Sequence, residues 1–296
     1  MAEIVYTPLH IDVARYASDD FNPFHDKHKW QDIAGNPFGG PIALGFQLGA
    51  FIVETVREAW RRAALVHDYH RYSTVQLRFV DAVRAGDPLA VEVKPARAAL
   101  DGDGVASRFV LRRHGRAAVL GSLRAETRMP GEDDAIDDLR FALALDGLPD
   151  RHVVPGGAWF LKRKFMLTSN AKNFLSAAGV DAFRYFDELA DRVQFPELYP
   201  ASLISSALLE RGIHRRHDFV REPMIYAQHL ITTDREVLAR LRSNDRLNLV
   251  VSEEPAGQPR MVHRCRAYTA RGERLFTAEI TLVSLASLAQ AAVDEV

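Results

Sequence analysis

An acid and a base, Asp20 and His25, lie five residues apart near the start of the chain. Between them, Asn22 and Pro23 favour a turn, because Pro23 has no backbone N–H and cannot continue a helix interior. Such a turn would aim the carboxylate and the imidazole at one small volume. Together they could hold a water molecule and move its proton, which is general acid–base catalysis without a metal or a cofactor. The alternative is that Asp19 and Asp20 only end a helix and that His25 is a surface loop residue.

Two helices are predicted on either side of this turn. The first covers about residues 11–18. The second starts near Ile42 and is apolar on nearly every side until it turns polar at Glu54, a pattern typical of a helix that is buried all round. Four segments with alternating apolar residues follow, and they predict antiparallel strands around that helix. These segments lie near residues 75–79, 89–93, 105–111 and 119–125.

The run from Tyr16 to His25, YASDDFNPFH, resembles the signature of the MaoC-like, or hydratase 2, branch of the hotdog-fold superfamily. Members of that family usually read Y-A-x-x-S-G-D-x-N-P-[IL]-H. The run from Phe38 to Gly45, FGGPIALG, is similar to the family's F-x-x-P-[IV]-x-H-G at the start of its central helix. The resemblance implies an α+β fold, a double hotdog, in which two copies of a long buried helix are each wrapped by an antiparallel sheet.

The resemblance also implies roles for individual residues. The family's catalytic pair falls on Asp20 and His25, and its turn Asn falls on Asn22, which would orient the loop or the pair. A backbone N–H between Gly40 and Gly45 could stabilise a developing oxyanion, because donors at a helix N-terminus are fixed before the reaction begins. Four phenylalanines are candidates for an acyl tunnel, with core packing as the alternative for each: Phe21, Phe24, Phe38 and Phe46.

Three positions depart from the family pattern. Asp19 stands where the family commonly has Gly, and Leu44 stands where it commonly has His. Ala50 lies where some members place a Ser that touches the catalytic Asp. These departures leave the Asp20 and His25 pair intact and bear on substrate range and rate.

The implied reaction is reversible syn hydration and dehydration between 2-enoyl and 3-hydroxyacyl thioesters carried on coenzyme A or an acyl carrier protein, with no cofactor and no metal. One rival is a thioesterase on the same scaffold. The other is a non-catalytic double hotdog that binds an acyl chain or scaffolds a complex. Arg57, Arg61 and Arg62 could steer an acidic carrier, or they could form a solvated face that pairs with Glu54 and Glu58.

Length and composition limit the number of domains, the kinds of partner and the cellular compartment. The chain has 296 residues, 47% of them hydrophobic, which suits two domains. Its formal net charge of -1 gives no field to attract nucleic acid or an anionic membrane, so neither is expected as a partner. Cys265 is the only cysteine and no signal peptide is recognisable, which predicts a cytoplasmic protein.

The closely spaced His25 and His28, and His67 and His70, do not form a recognised metal-ligand pattern. The assembly state is left open, with a homodimer as one option.

The second half repeats the first in degraded form. We predict an N-terminal hotdog domain at 1–128, a solvated acidic linker at 129–152 and a degenerate C-terminal hotdog domain at 153–296. A second apolar helix opens at Tyr199 and Pro200, where Pro200 takes the place of Pro41. No Asp and His recur five apart in the second half at the equivalent point, after Ser176. The second copy is therefore expected to complete the sheet and one wall of the site, without being a second catalyst.

Overall fold

The computed structural model describes residues 2–65, 70–98, 104–130, 135–254 and 260–287. Its first helix, α1 (Pro8–Ser18), begins at Thr7, whose side chain accepts a hydrogen bond from the backbone N–H of His10 at 3.3 Å. The second helix, α2 (Gly45–Arg62), is buried along most of its length. Both helices confirm the sequence prediction, and the turn that carries Asp20 and His25 lies between them.

The described residues of the first copy form six strands. Their inward positions are apolar at every second residue, as in β2, where Val75 and Leu77 are buried and Gln76 is exposed. The strands are β1 (Ala2–Val5), β2 (Tyr72–Phe79), β3 (Pro88–Val93), β4 (Arg97–Ala98), β5 (Gly104–Arg113) and β6 (Arg116–Glu126).

The segment predicted as a solvated acidic linker contains regular structure. Helix α3 (Ala135–Ala144) lies within it, and strand β7 (His152–Val153) starts at its last residue. Ala142 and Leu145 are buried in a small cluster with Tyr268. The prediction of a solvated linker was wrong for this helix, because the acidic run hid the apolar residues that follow it. Residues 131–134 lie outside the described ranges, and the domain limits at 128 and 153 remain predictions.

The second copy repeats the element order of the first. A strand and a short helix precede a long apolar helix in two pieces, and four long strands follow. Its helices are α4 (Thr168–Ala177), α5 (Leu198–Ser202), α6 (Ile204–His214) and α7 (Arg235–Arg240). Its strands are β8 (Phe160–Phe165), β9 (Phe186–Asp187), β10 (Arg192–Val193), β11 (Met224–Asp234), β12 (Arg246–Glu254), β13 (Arg260–Thr269) and β14 (Arg274–Ser284).

The described strands of both copies, apart from the small β9–β10 pair, form one twelve-stranded sheet. The first copy runs β1-β3-β5-β6-β2 and the second runs β11-β14-β13-β12-β8, so the order of one copy mirrors that of the other. The copies join where β2 pairs with β11 antiparallel, from Arg78 opposite Gln228 to Tyr72 opposite Asp234. One apolar core spans both copies. The predicted internal repeat therefore produces a single continuous sheet around two central helices.

No helix among the described residues is both long enough and apolar enough to span a lipid bilayer.

Candidate active site

The turn that carries Asp20 is built by local hydrogen bonds. Helix α1 ends at Asp19, which adopts the left-handed conformation at φ 54°, and the backbone N–H of Asp20 then donates to the carbonyl of Arg15 at 2.9 Å. The Oδ1 atom of Asp20 accepts a hydrogen bond from the backbone N–H of Asn22 at 3.0 Å. This hydrogen bond to the backbone fixes the orientation of the carboxylate, and with it the position of the other oxygen, Oδ2.

His25 is held by two neighbouring segments. The Oδ1 atom of Asn22 accepts a hydrogen bond from the N–H of Phe24 at 3.1 Å and caps a short 3₁₀ turn over Pro23–His25. The ring Nδ1 of His25 lies 2.8 Å from the carbonyl oxygen of Ile42. Since a carbonyl oxygen only accepts, Nδ1 carries the hydrogen. Nε2 of the neutral ring is therefore a free acceptor, as a general base requires.

The carboxylate and the imidazole converge as the sequence predicted. Oδ2 of Asp20 lies 4.0 Å from Nε2 of His25, and the two side chains are 1% and 5% exposed. Within the described part of the chain, Oδ2 of Asp20 is buried without a hydrogen-bond partner. A separation of 4.0 Å is too long for a direct hydrogen bond, yet one water oxygen can lie within bonding distance of both atoms. The pair can thus hold a water molecule and accept its proton.

A cavity of about 290 Å³ opens beside His25. Asn22, Phe24 and Phe38 line it, and the rings of Phe24 and Phe38 pack 5.8 Å apart. Asp20 is not part of the cavity wall, and its Oδ2 atom lies 4.0 Å from Nε2 of His25, which is. Further walls come from both copies: Ile42, Ala43, Gly45, Leu48, Phe79, Val80, Asp81, Ala82, Val83, Ile225, Tyr226, Ala227 and Val283. An apolar cavity beside one polar pair suits an acyl chain with one reacting position.

Two of the four predicted tunnel residues lie elsewhere. Phe46 is 1% exposed and belongs to the core, where its ring stacks on His229 at 4.4 Å. Phe21 is half-buried and is not part of the cavity wall. Core packing, the alternative for each phenylalanine, applies to Phe46.

The start of α2 faces the cavity through Gly45, its first residue. Leu44, which stands in the family's His position, is 1% exposed and has no side chain that could cap the helix. The first N–H groups of a helix have no intrahelical acceptor, so they are available to an oxygen in the cavity. Gly40 is half-buried and lies outside the cavity wall. The candidate oxyanion donors are therefore at Gly45 and not at Gly40.

The second copy contributes residues that the sequence did not identify. Tyr226 lines the cavity, and its hydroxyl lies 3.1 Å from Oγ of Ser205 on α6. His229 is fully buried beside it, at 4.7 Å between ring centroids. Burial lowers the pKa of His229 to about 3. These residues come from β11, and no motif marked them as belonging near a site some 200 residues away in the chain.

The arginines considered for carrier steering are engaged within the protein. Arg57 is 8% exposed and pairs with Glu197 of the second copy at 2.6 Å. Arg61 pairs with Glu54 and Glu58, and Arg62 pairs with Glu58. The steering hypothesis was wrong for Arg57, because that side chain is not on the surface. Arg61 and Arg62 follow the alternative of a paired helix face.

Among the histidines that the structure describes, the others do not assemble into a metal site. His28 is exposed, whereas His70 is buried, and His67 lies outside the described residues. Within the described ranges, no three His, Cys, Asp or Glu side chains are grouped to hold a metal ion.

Known proteins match this chain by structure and not by sequence. No protein-family model and no curated protein sequence matches it. A solved structure described as a MaoC-like dehydratase matches with a TM-score of 0.60 at 11% identity, covering 95% of each chain. A conserved hypothetical protein of Mycobacterium tuberculosis, described as having a double hotdog fold, matches with a TM-score of 0.58 at 12% identity, covering 96% of this chain and 94% of that one. The chain has the double hotdog fold.

Solved structures described with another reaction also match this chain. A candidate thioesterase from Novosphingobium aromaticivorans matches with a TM-score of 0.51 at 10% identity, covering 83% of this chain and 88% of that one. Identities this low establish a shared fold, and the reaction rests on the geometry of the site.

Proposed function

We propose that this double hotdog protein is a hydro-lyase that interconverts 2-enoyl and 3-hydroxyacyl thioesters carried on coenzyme A or an acyl carrier protein. The observation that carries the proposal is the 4.0 Å separation between Oδ2 of Asp20 and Nε2 of His25, two buried groups of which His25 lines an apolar cavity. Two acceptor atoms at this spacing suit a water molecule that must be held and deprotonated at once.

In the hydration direction, the water oxygen attacks C3 while Nε2 of His25 takes one water proton. The electron pair of the C2–C3 double bond moves towards the thioester, so negative charge develops on its carbonyl oxygen. The imidazolium of His25 then returns the proton to C2 on the same face, and the ring is again neutral. Asp20 keeps the second water hydrogen in place and stabilises the charged ring. Dehydration follows the same steps in reverse.

The thioester oxygen needs a donor where its charge develops. The N–H groups of the first turn of α2, which have no acceptor within the helix, supply it, since Gly45 borders the cavity that holds the acyl chain. Phe24 and Phe38 form an apolar wall for that chain. A carbonyl near Gly45 and a C3 atom near His25 would place the substrate along the cavity between the two elements.

One assay separates this proposal from its rivals. Purified protein is mixed with crotonyl-CoA, and both the ultraviolet absorbance of the conjugated enoyl thioester and the free thiol are followed. A hydratase removes the enoyl absorbance without releasing thiol. A thioesterase releases thiol, and an acyl-binding or scaffold protein changes neither signal. Thiol release at a rate equal to the loss of absorbance would contradict the proposal.

A further inference from the structure

Strand β11 contains one extra residue beside the cavity. In its pairing with β14, Tyr226 lies opposite Leu282 and Gln228 lies opposite Thr281, so Ala227 has no partner of its own. Residues three apart in a regular strand point to opposite faces of the sheet. A bulge of one residue reverses that relation and turns both side chains to the same face. Tyr226 and His229 accordingly lie together, against the helix side of the sheet.

The ring of Tyr226 is fixed by this arrangement. It packs edge-on to His229 at 4.7 Å and to Phe46 of α2 at 6.2 Å. His229 is itself stacked on Phe46 and packed edge-on to Phe79 at 4.9 Å. Packing on both sides leaves the ring little freedom, so the position of the Tyr226 hydroxyl is determined by the core.

The hydroxyl of Tyr226 is poised to act as a donor. Ser205 lies 3.1 Å away and can donate to the phenolic oxygen, which leaves the phenolic hydrogen for another acceptor. Burial raises the pKa of Tyr226 well above its ordinary value, and the nearby charge of Asp20 raises it further. The hydroxyl therefore keeps its proton, and it lines the same cavity as His25.

The Asp20 and His25 pair lacks a donor. Oδ2 of Asp20 and Nε2 of His25 both accept, so they take the two hydrogens of a bound water and leave its lone pairs unassigned. One lone pair must attack C3. A single donor on the other lone pair would fix the direction of the attacking one.

We propose that Tyr226 is a further catalytic residue, whose hydroxyl donates a hydrogen bond to the oxygen that is added to or removed from C3 of the acyl thioester. Ser205 is then a positioning residue that acts through Tyr226. The tyrosine keeps its proton throughout, and the same bond supports the departing oxygen in dehydration. This inference rests on the proposed function, because it assigns a role in that reaction, and it makes the second copy a direct contributor to the chemistry.

The test compares Tyr226→Phe with Tyr268→Phe in the full chain. Tyr268 is a buried tyrosine of the second copy whose hydroxyl donates to Asp138 at 2.6 Å, away from the cavity. Tyr226→Phe should lower kcat for crotonyl-CoA hydration by about 10²-fold, the usual effect of removing one preorganised donor. KM should change by less than about threefold, since the lost bond acts on the reacting oxygen. Tyr268→Phe should leave both constants as in the wild type. Equal kcat values for Tyr226→Phe and wild type would overturn the inference.

A binding measurement tests the inference independently of turnover. In a His25→Ala background, the affinities for 3-hydroxybutyryl-CoA and butyryl-CoA are measured with Tyr226 present and with Tyr226→Phe. The ratio of the two affinities should fall about fivefold when the hydroxyl is removed, because only the first ligand carries an oxygen at C3. An unchanged ratio would overturn the role of Tyr226. Failure of the wild type to hydrate crotonyl-CoA would instead refute the proposed function. The ratio of affinities would still decide whether the Tyr226 hydroxyl binds the oxygen at C3.

Discussion

Gly45 of the first copy and His229 of the second copy meet at the start of helix α2, where a Cβ atom on residue 45 would lie 3.1 Å from Cε1 of His229. The same atom would lie 2.8 Å from Cζ of Phe79, a residue of the cavity wall. Because Gly45 has no side chain, His229 of the second copy can pack directly against the N-terminus of helix α2. Glycine is required at this position because of these close contacts. Its backbone conformation is not the reason, because it is that of an ordinary helix.

Gly45→Ala should lower kcat/KM for crotonyl-CoA by about 10- to 100-fold, because displaced rings would misplace the acyl chain relative to His25. The matched control is Gly40→Ala, in the same predicted glycine-rich segment, where an added Cβ would meet no atom within 4 Å. Steady-state kinetics of both variants make the comparison. Equal effects of the two substitutions would contradict the claim that the close packing of Phe79 and His229 against Gly45 positions the acyl chain.

The parts of the fold and of the site that depend on residues close in sequence could be predicted. The turn at Asn22 and Pro23 is local, so the meeting of Asp20 and His25 followed from spacing and residue type. Helix α2 was predictable because it is apolar on almost every side. Helix α3 was not predicted, because the run of acidic residues at its start indicated a solvated linker. The buried residues that follow, Ala142 and Leu145, were too few to indicate a packed helix.

The second-copy wall of the site could not be predicted in detail. Tyr226 reaches the cavity, with His229 packed against it, through the pairing of β2 with β11, which joins distant parts of the chain. Strict alternation along β11 would place these two rings on opposite faces. The bulge at Ala227 puts them on the same face, and no residue type in that strand marks a bulge.

The buried His229 should make stability depend on pH. Its pKa is lowered by burial to about 3, against 6.5 when unfolded, so between these values the unfolded chain binds more protons than the folded one. The free energy of unfolding therefore falls as pH falls from about 6.5 towards 3, by up to about 1.4 kcal/mol per pH unit for one such group. Urea unfolding at pH 7.5 and pH 5 measures the difference.

His229→Leu should reduce that difference, because the titrating group is removed at similar volume. The exposed His152 provides the control, since His152→Leu removes a histidine without removing a buried one. His263 is also buried with its pKa lowered to about 4, so part of the pH dependence should persist in the variant. An identical loss of stability at pH 5 in wild type and His229→Leu would show that His229 does not contribute.

An ion pair between the copies should contribute to stability. Arg57 of α2 bonds Glu197 at 2.6 Å and the hydroxyl of Ser73 at 2.7 Å, and it is 8% exposed. Arg57→Ala should lower the free energy of unfolding by about 2 kcal/mol, because it leaves the half-buried carboxylate of Glu197 with only Ser73 at 2.7 Å and a more distant cation, Arg235, at 3.6 Å.

The control for Arg57 lies one turn further along the same helix. The side chain of Arg61 is 44% exposed, so Arg61→Ala should cost less than about 1 kcal/mol. Urea denaturation of both variants gives the two values. Equal costs would mean that the Arg57–Glu197 pair behaves as a surface interaction and does not hold the copies together.

The central claim is that Asp20 and His25 act together on one water molecule. The most direct measurement is the kcat of Asp20→Asn and of His25→Ala for crotonyl-CoA hydration, with Asp19→Asn as the matched control. Asp19 is the adjacent carboxylate, exposed and paired with Lys164 at the surface, and asparagine tolerates its left-handed conformation. The account predicts a loss of roughly 10²- to 10⁴-fold for each member of the pair and wild-type turnover for the control. Losses below tenfold for both Asp20→Asn and His25→Ala would contradict it.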